Sequence, residues 1–185
     1  MTNGKKVYHF TDSARLPWIL SSGVLRAGAF QPLGWPADLL WATEDGAKEA
    51  TATGGYGRHY RSGDVFLVRI ELDAEHFFPW PEVIDRLPAW KDEHVNALNT
   101  TARERGSDPS RWWCTDRHIA VGSFLAIHGR TWANGKWDSV DPDLIRTAQH
   151  GKNWLGVPFR GKTYLSSQIP ATDGRTAYVC ANSTT

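Results

Sequence analysis

Hydrophobic and polar positions alternate most plainly over residues 64–72. Phe66, Val68, Ile70 and Leu72 share one face there, and Leu67, Arg69 and Glu71 share the other. That period of two predicts a strand. Shorter apolar runs predict strands over 6–10, 39–43, 112–115 and 124–128. Two further runs, 164–169 and 176–181, read as strands that pair around Asp173-Gly174. Helix signals fall between them. Asp12 and Ser13 can cap a helix over 14–22, with Pro17 in its first turn and Gly23 after its end. Residues 45–53 read as a modest helix stopped by Gly54-Gly55. Residues 89–105 read as the longest helix, with Val95, Leu98 and Ala102 as a partial apolar stripe and Gly106 as the stop. Asn134-Gly135, flanked by Trp132 and Trp137, signals a hairpin turn, and 141–150 reads as a capped helix.

These short elements alternate irregularly, with no repeating strand–helix–strand period. The pattern argues against a doubly wound parallel sheet and predicts an α+β fold with mostly antiparallel sheets. The 185 residues suit a single domain. Its core is expected over about 5–130, and a C-terminal hairpin and helix elaboration over about 131–181. Hydrophobic residues make up 41% and charged residues 22%, which is globular composition. With 21 Lys+Arg against 20 Asp+Glu, no global charge draws the chain to nucleic acid or acidic lipid, so any basic site must be a local patch. Cys114 and Cys180 make no disulfide framework, which points to a reduced, cytoplasmic compartment. No run of about 18 apolar residues exists to span a membrane, and the N-terminus carries no apolar signal region.

The 10 tryptophans are the compositional oddity. They suit either core packing or a stacking platform for a nicotinamide, a base or a sugar. Residues 156–163 match the phosphate-loop spacing G-x-x-x-x-G-K-[ST]. That motif needs a strand before it and a long helix after it, and Pro170 follows too soon, so it reads as a Gly-rich connection into a late strand. Cys114 and His118 have half-zinc spacing, His128 is a third candidate, and no fourth ligand exists, so no metal is expected. Residues 54–61 are Gly-rich, then aromatic and basic. They read as a solvent loop or as a mobile loop over a ligand, with Arg58 and Arg61 aimed at phosphate.

The most informative stretch is Tyr8-His9-Phe10-Thr11 at a strand end, followed by Ile19, Gly23, Val24 and Leu25. This H-x-T opening resembles that of the ADP-ribosyltransferase fold. That fold is shared by the poly-ADP-ribose polymerases, the tRNA 2′-phosphotransferases and the DarT-type DNA ADP-ribosyltransferases. The resemblance implies split antiparallel sheets with short helices and NAD as substrate. It implies that His9 hydrogen-bonds a ribose, that the Phe10 backbone grips the nicotinamide carboxamide, and that the Thr11 hydroxyl supports the adenosine side. Phe10 stands where the polymerases have Gly, which a backbone contact tolerates. Leu40-Trp41-Ala42-Thr43, with 47–53, is similar to the family's second element. Trp41 would border the cleft, Thr43 and Thr51 would reach the carboxamide, and Tyr56 would stack on the nicotinamide ring.

The family's late-strand Glu is missing from 111–119. Asp116 is the nearby acid, Arg111 occupies roughly the expected place, and Glu71 is a weaker candidate. The tRNA 2′-phosphotransferases also lack that Glu and use basic residues. The implied activity is transfer of ADP-ribose, or cleavage of NAD, with a protein or nucleic acid acceptor, as a toxin or defence effector. For a nucleic acid, Arg58, Arg61, Arg111 and Arg117 would meet phosphates while Trp112 or Trp113 stacks a base. Two alternatives stand beside it: a non-catalytic module on the same fold that binds a nucleotide or a nucleic acid end, and an unrelated α+β protein.

Overall fold

Val68, Ile70 and Leu72 are fully buried, so the most clearly alternating strand runs through the middle of the molecule. A computed structural model describes residues 4–28, 34–53, 57–145, 153–170 and 176–183. The strands are β1 (Lys6–Asp12), β2 (Val24–Leu25), β3 (Leu40–Thr43), β4 (Leu67–Asp73), β5 (Phe78–Pro79) and β6 (Trp112–Thr115). They continue with β7 (Ile119–Ala120), β8 (Ala126–Arg130), β9 (Asp138–Ser139), β10 (Leu155–Phe159), β11 (Lys162–Pro170) and β12 (Thr176–Ser183). The helices are α1 (Leu16–Ser22), α2 (Ala50–Thr53), α3 (Gly57–Ser62), α4 (Val83–Arg86), α5 (Asp92–Glu104) and α6 (Pro142–Ile145). Among the described residues, seven strands form one sheet in the order β5-β6-β3-β1-β4-β8-β9. Each of its pairings is antiparallel. A second sheet is β10-β11-β12, and β2 pairs with β7. The fold is α+β with a large antiparallel sheet and short helices.

β1 and β4 pair in full register from Lys6↔Asp73 to Asp12↔Leu67. β4 begins at Leu67, not at residue 64, because a side chain ends the ladder. Ser13 Oγ accepts the Phe66 N–H at 3.0 Å, and the Phe66 carbonyl accepts the Ser13 N–H at 3.0 Å. Ser13 is thereby diverted from capping α1. Asp12 Oδ1 instead accepts the N–H groups of Ala14 and Arg15, at 2.8 and 2.9 Å, and the helix starts at Leu16. It ends at Gly23 in the left-handed conformation, φ 77°, as glycine permits.

Alternation along β3 and β6 divides their side chains between two cores. Leu40 and Ala42 join Val7, Val68, Ile70 and Leu72 in the larger one, under α1. Leu39, Trp112 and Cys114 join Trp80, Trp90 and Ala102 in a tryptophan-rich second core, with Val95 and Leu98 of α5 packed against it. Val157, Phe159 and Tyr164 of the C-terminal sheet belong to the larger core, and Phe159 stacks on Phe66 at 4.3 Å.

Two predicted elements differ in the structure. The helix expected over 45–53 shrinks to α2, because Asp45 Oδ1 accepts the Ala47 N–H at 2.8 Å and closes a turn. The expected loop over 57–61 is helix α3, while Gly54, Gly55 and Tyr56 lie outside the described residues. The phosphate-loop spacing falls on a hairpin of β10 and β11, turned by Arg160 (φ 51°) and Gly161 (φ 75°). There Lys162 Nζ donates to the Gly63 carbonyl at 2.8 Å. β11 and β12 pair as expected, from Thr163↔Ser183 to Pro170↔Thr176. Their Asp173-Gly174 turn and the helix predicted beyond Ile145 lie outside the described residues. β8 and β9 pair on either side of the Asn134-Gly135 turn.

Candidate functional site

The site begins with a parting of two strands. In an antiparallel ladder, alternate residues point their N–H and C=O to opposite neighbours. Ser13 bonds Phe66, and the Lys5 carbonyl accepts the Ala74 N–H. Odd-numbered positions of β1 therefore face β4, and Tyr8 and Phe10 face β3. The β1–β3 ladder, however, consists of Tyr8↔Thr43 alone. A continued ladder would bring the Trp41 carbonyl to the Phe10 N–H. That carbonyl instead bonds His9 Nδ1 at 2.8 Å. Phe10 thus has no ladder pair in β3.

A carbonyl only accepts, so His9 Nδ1 carries the proton and Nε2 is the ring's acceptor. Burial lowers the His9 pKa, and Arg15 lowers it further, against the opposing effect of the Trp41 bond. The ring is neutral at pH 7.

Beside the gap lies a cavity of about 450 Å³, within the usual size range of small-molecule sites. Tyr8, His9 and Phe10 border it from β1, and Trp41, Ala42 and Thr43 from β3. Trp35, Trp90, Trp112 and Leu98 make its walls largely apolar. Trp41 packs edge-on against Trp90 and Trp112, with ring centroids 6.3 and 5.7 Å apart. Its Nε1 donates to Asp38 Oδ1 at 3.1 Å, which locks the indole on the cavity wall.

The cavity's buried carboxylate is Glu49, which the sequence reading missed. Its Oε1 accepts from Thr51 Oγ1 at 2.7 Å, from Thr51 N–H at 3.1 Å and from Ser107 Oγ. Its Oε2 accepts from Trp112 Nε1 at 3.1 Å. Within the run 45–53, a lone Glu reads as a helix-surface charge; its only local signal is Thr51 two residues on. The turn that delivers Glu49 is itself fastened. Arg69 Nη1 donates to the Gly46 carbonyl, and Trp137 Nε1 donates to the Ala47 carbonyl at 3.3 Å. Gly46 also lies so close to Tyr8 that a Cβ there would meet the ring at 2.9 Å.

Of the sequence-predicted residues, His9, Phe10, Trp41, Thr43, Thr51 and Trp112 line the cavity together. Thr11 is buried away from its lining, and Tyr56 lies outside the described residues. Asp116 is exposed beyond the end of β6. Thr115 pairs with Leu40, so Asp116 sits past the β3 end opposite Thr43, away from the cavity. Trp112 and Trp113 are consecutive strand residues and take opposite faces. Trp113 leaves the cavity and donates from Nε1 to Glu44 Oε1 at 2.8 Å. Trp112 is buried and spends its N–H on Glu49, so it is wall and not a free platform. Arg58 and Arg117 are exposed away from the cavity lining, and Arg61 sits over the Trp132 ring at 5.7 Å. Glu71 accepts from Lys6 Nζ at 3.0 Å and is not among the lining residues.

Arg111 lines a second pocket of about 160 Å³, together with Lys48, Asp45, Ser107 and Asp108. Thr43 and Glu49 line both pockets. Arg111 Nη1 lies 3.3 Å from Asp45 Oδ2. Asp108 is held below its ordinary pKa by hydrogen bonds from Ser110, with Arg111 adding to the effect.

Among the described residues, no three His, Cys, Asp or Glu side chains converge as metal ligands. Cys114 is buried opposite Trp41, and burial raises its thiol pKa strongly. No helix of the described residues is long and apolar enough to cross a membrane. Comparison with family models, with curated proteins and with solved structures gives no match, so the site's own geometry has to carry its function.

Proposed function

We propose that the protein binds NAD and transfers its ADP-ribose unit, on a fold of the ADP-ribosyltransferase kind. One observation carries the proposal: Phe10, directly after His9, has no ladder pair in β3, which offers its N–H and C=O to a ligand. A carboxamide offers one carbonyl acceptor and an NH₂ donor, the complement of that backbone pair. The nicotinamide of NAD is also a flat cation, and tryptophan faces attract flat cations. The Trp41 wall supplies such a surface beside the gap. His9 Nε2 suits a ribose hydroxyl as hydrogen-bond donor. The β1–β3 ladder thins to one pair where a split would fall, within a sheet that is still continuous.

A protein or nucleic acid acceptor remains part of the proposal. Arg58, Arg61 and Arg117 stand away from the cavity and lend no support to nucleic acid. A second reading, a non-catalytic NAD-binding module, draws on Asp116 lying outside the cavity. Calorimetric titration with NAD, followed by assay of nicotinamide release and mass spectrometry of protein, DNA and RNA, separates the two. Binding with release, and one ADP-ribose added to an acceptor, supports the transferase. Binding without release favours the module. Absence of NAD binding overturns both.

A further inference from the structure

Two pockets of opposite character meet at Glu49. We infer that Glu49 is the carboxylate facing the ligand's sugar between them, and that Lys48 and Arg111 receive its phosphate end. The inference rests on the NAD reading above and assigns the acid that residues 111–119 do not bring to the cavity.

The larger pocket is walled by indoles and suits a flat ring. The smaller is polar and is lined by two cations, Lys48 and Arg111, and by three acidic side chains, Asp45, Glu49 and Asp108. Thr43 and Glu49 are their shared boundary. In a nucleotide, one sugar joins a flat ring to an anionic phosphate. A ligand spanning both pockets therefore lays its sugar against Thr43 and Glu49.

Glu49 is prepared for that position. Three donors converge on Oε1, which exhausts its lone pairs and fixes the carboxylate plane. Among the described residues Oε2 takes only the Trp112 N–H, which leaves capacity for one more donor, such as a ribose hydroxyl. The pinned turn of residues 45–49 adds rigidity, since Arg69 and Trp137 hold the Gly46 and Ala47 carbonyls. In the smaller pocket Asp45 lies beside Arg111 and Asp108 lines the same wall, so a phosphate must compete with both carboxylates for the two cations.

The chemistry needs such a group. When the C1′–N bond of NAD breaks, its electron pair leaves on nicotinamide and positive charge builds on the ribose. A lone pair of the acceptor oxygen or nitrogen forms the new bond to C1′, and the acceptor's proton passes to water. A fixed carboxylate beside the ribose stabilises that charge as it develops and costs no reorganisation.

The experiment uses the whole chain with NAD and with nicotinamide riboside, which lacks phosphate. Glu49→Gln should bind NAD within about threefold of wild type while nicotinamide release falls on the order of 100-fold or more. The double variant Lys48→Ala, Arg111→Ala should bind NAD roughly tenfold more weakly and nicotinamide riboside unchanged. Glu49→Gln releasing nicotinamide at the wild-type rate overturns the role of Glu49. Equal weakening of both ligands, or of neither, overturns the phosphate end. Should Glu49→Gln unfold, the exposed Lys48 and Arg111 pair still decides the ligand's direction, and with it whether the sugar lies at Glu49. A wild-type protein that binds NAD and releases nicotinamide while the variants behave like it sinks this inference alone. A wild type that binds no NAD removes the functional reading and this inference together.

Discussion

His9 couples the sheet to the cavity through a single bond, from Nδ1 to the Trp41 carbonyl. Replacing His9 by Ala removes that bond and the Nε2 acceptor. Binding of NAD should weaken about 3- to 10-fold, the value of one or two neutral hydrogen bonds. The fold should persist, because the ring borders a cavity and fills no core position. Calorimetric titrations beside thermal melts test this; a large melting drop with unchanged affinity would show His9 to be structural only. Burial lowers the pKa of both His9 and His128. The folded protein therefore binds fewer protons than the unfolded chain just below about pH 6.5, and stability rises with pH across that window. Melting temperature should fall on acidification from pH 7 through 6.5 and level off once the folded-state pKa values are passed. His9→Asn should flatten the slope only in part, since His128 contributes its own share. An unchanged slope would mean that the ring is readily protonated in place.

At the scale of elements, the hairpin of β10 and β11 uses Lys162 as a clip to the Gly63 carbonyl. Lys162→Ala should leave nucleotide affinity unaltered and cost about 1 kcal/mol of stability, the worth of one hydrogen bond. ATP binding that vanishes in this variant would revive the phosphate-loop reading of residues 156–163. The turn before α2 offers a complementary test. Gly46→Ala drives a methyl into the Tyr8 ring and should cost about 1–3 kcal/mol by overpacking, read by chemical denaturation. Nicotinamide release should fall with it, because the same turn positions Glu49; an unaffected rate would uncouple the two. Strand periodicity makes β4 legible in the residues themselves, since its buried face repeats every second position, while β6, β11 and β12 show only as short apolar runs. The H-x-T run also marks the strand that borders the cavity. The turn at residues 45–49 is not legible that way. Asp45 and the Gly46 carbonyl owe their conformation to partners at Ala47 and Arg69, and the Arg69 contact is long-range. Glu49 acquires its setting from Ser107 and Trp112, more than fifty residues away. Trp113 shows the converse: sequence proximity to Trp112 conceals that the two indoles serve different faces.

For the whole molecule, Phe66, just before β4, packs on Phe159 and Tyr164 of the C-terminal sheet, and Gly129 of β8 lies against the Phe66 and Phe159 rings. A Cβ at residue 129 would meet Phe159 at 2.7 Å and Phe66 at 2.8 Å. Gly129→Ala should therefore destabilise by about 1–3 kcal/mol or more, loosening the C-terminal sheet, with a matching rise in proteolysis. Equal stability of wild type and variant would show that the C-terminal sheet can shift at little cost.

Adjoining indoles among Trp41, Trp80, Trp90 and Trp112 stand 4.9 to 6.5 Å apart, and three of the four form the cavity wall. At such separations aromatic chromophores couple, so emission and near-ultraviolet dichroism from this quartet behave as one signal. The protein thus carries a built-in optical gauge whose colour and ellipticity change with whatever enters beside Trp41. Trp132, 57% exposed and remote from the cavity lining, supplies a steady background against which that change can be read without a label.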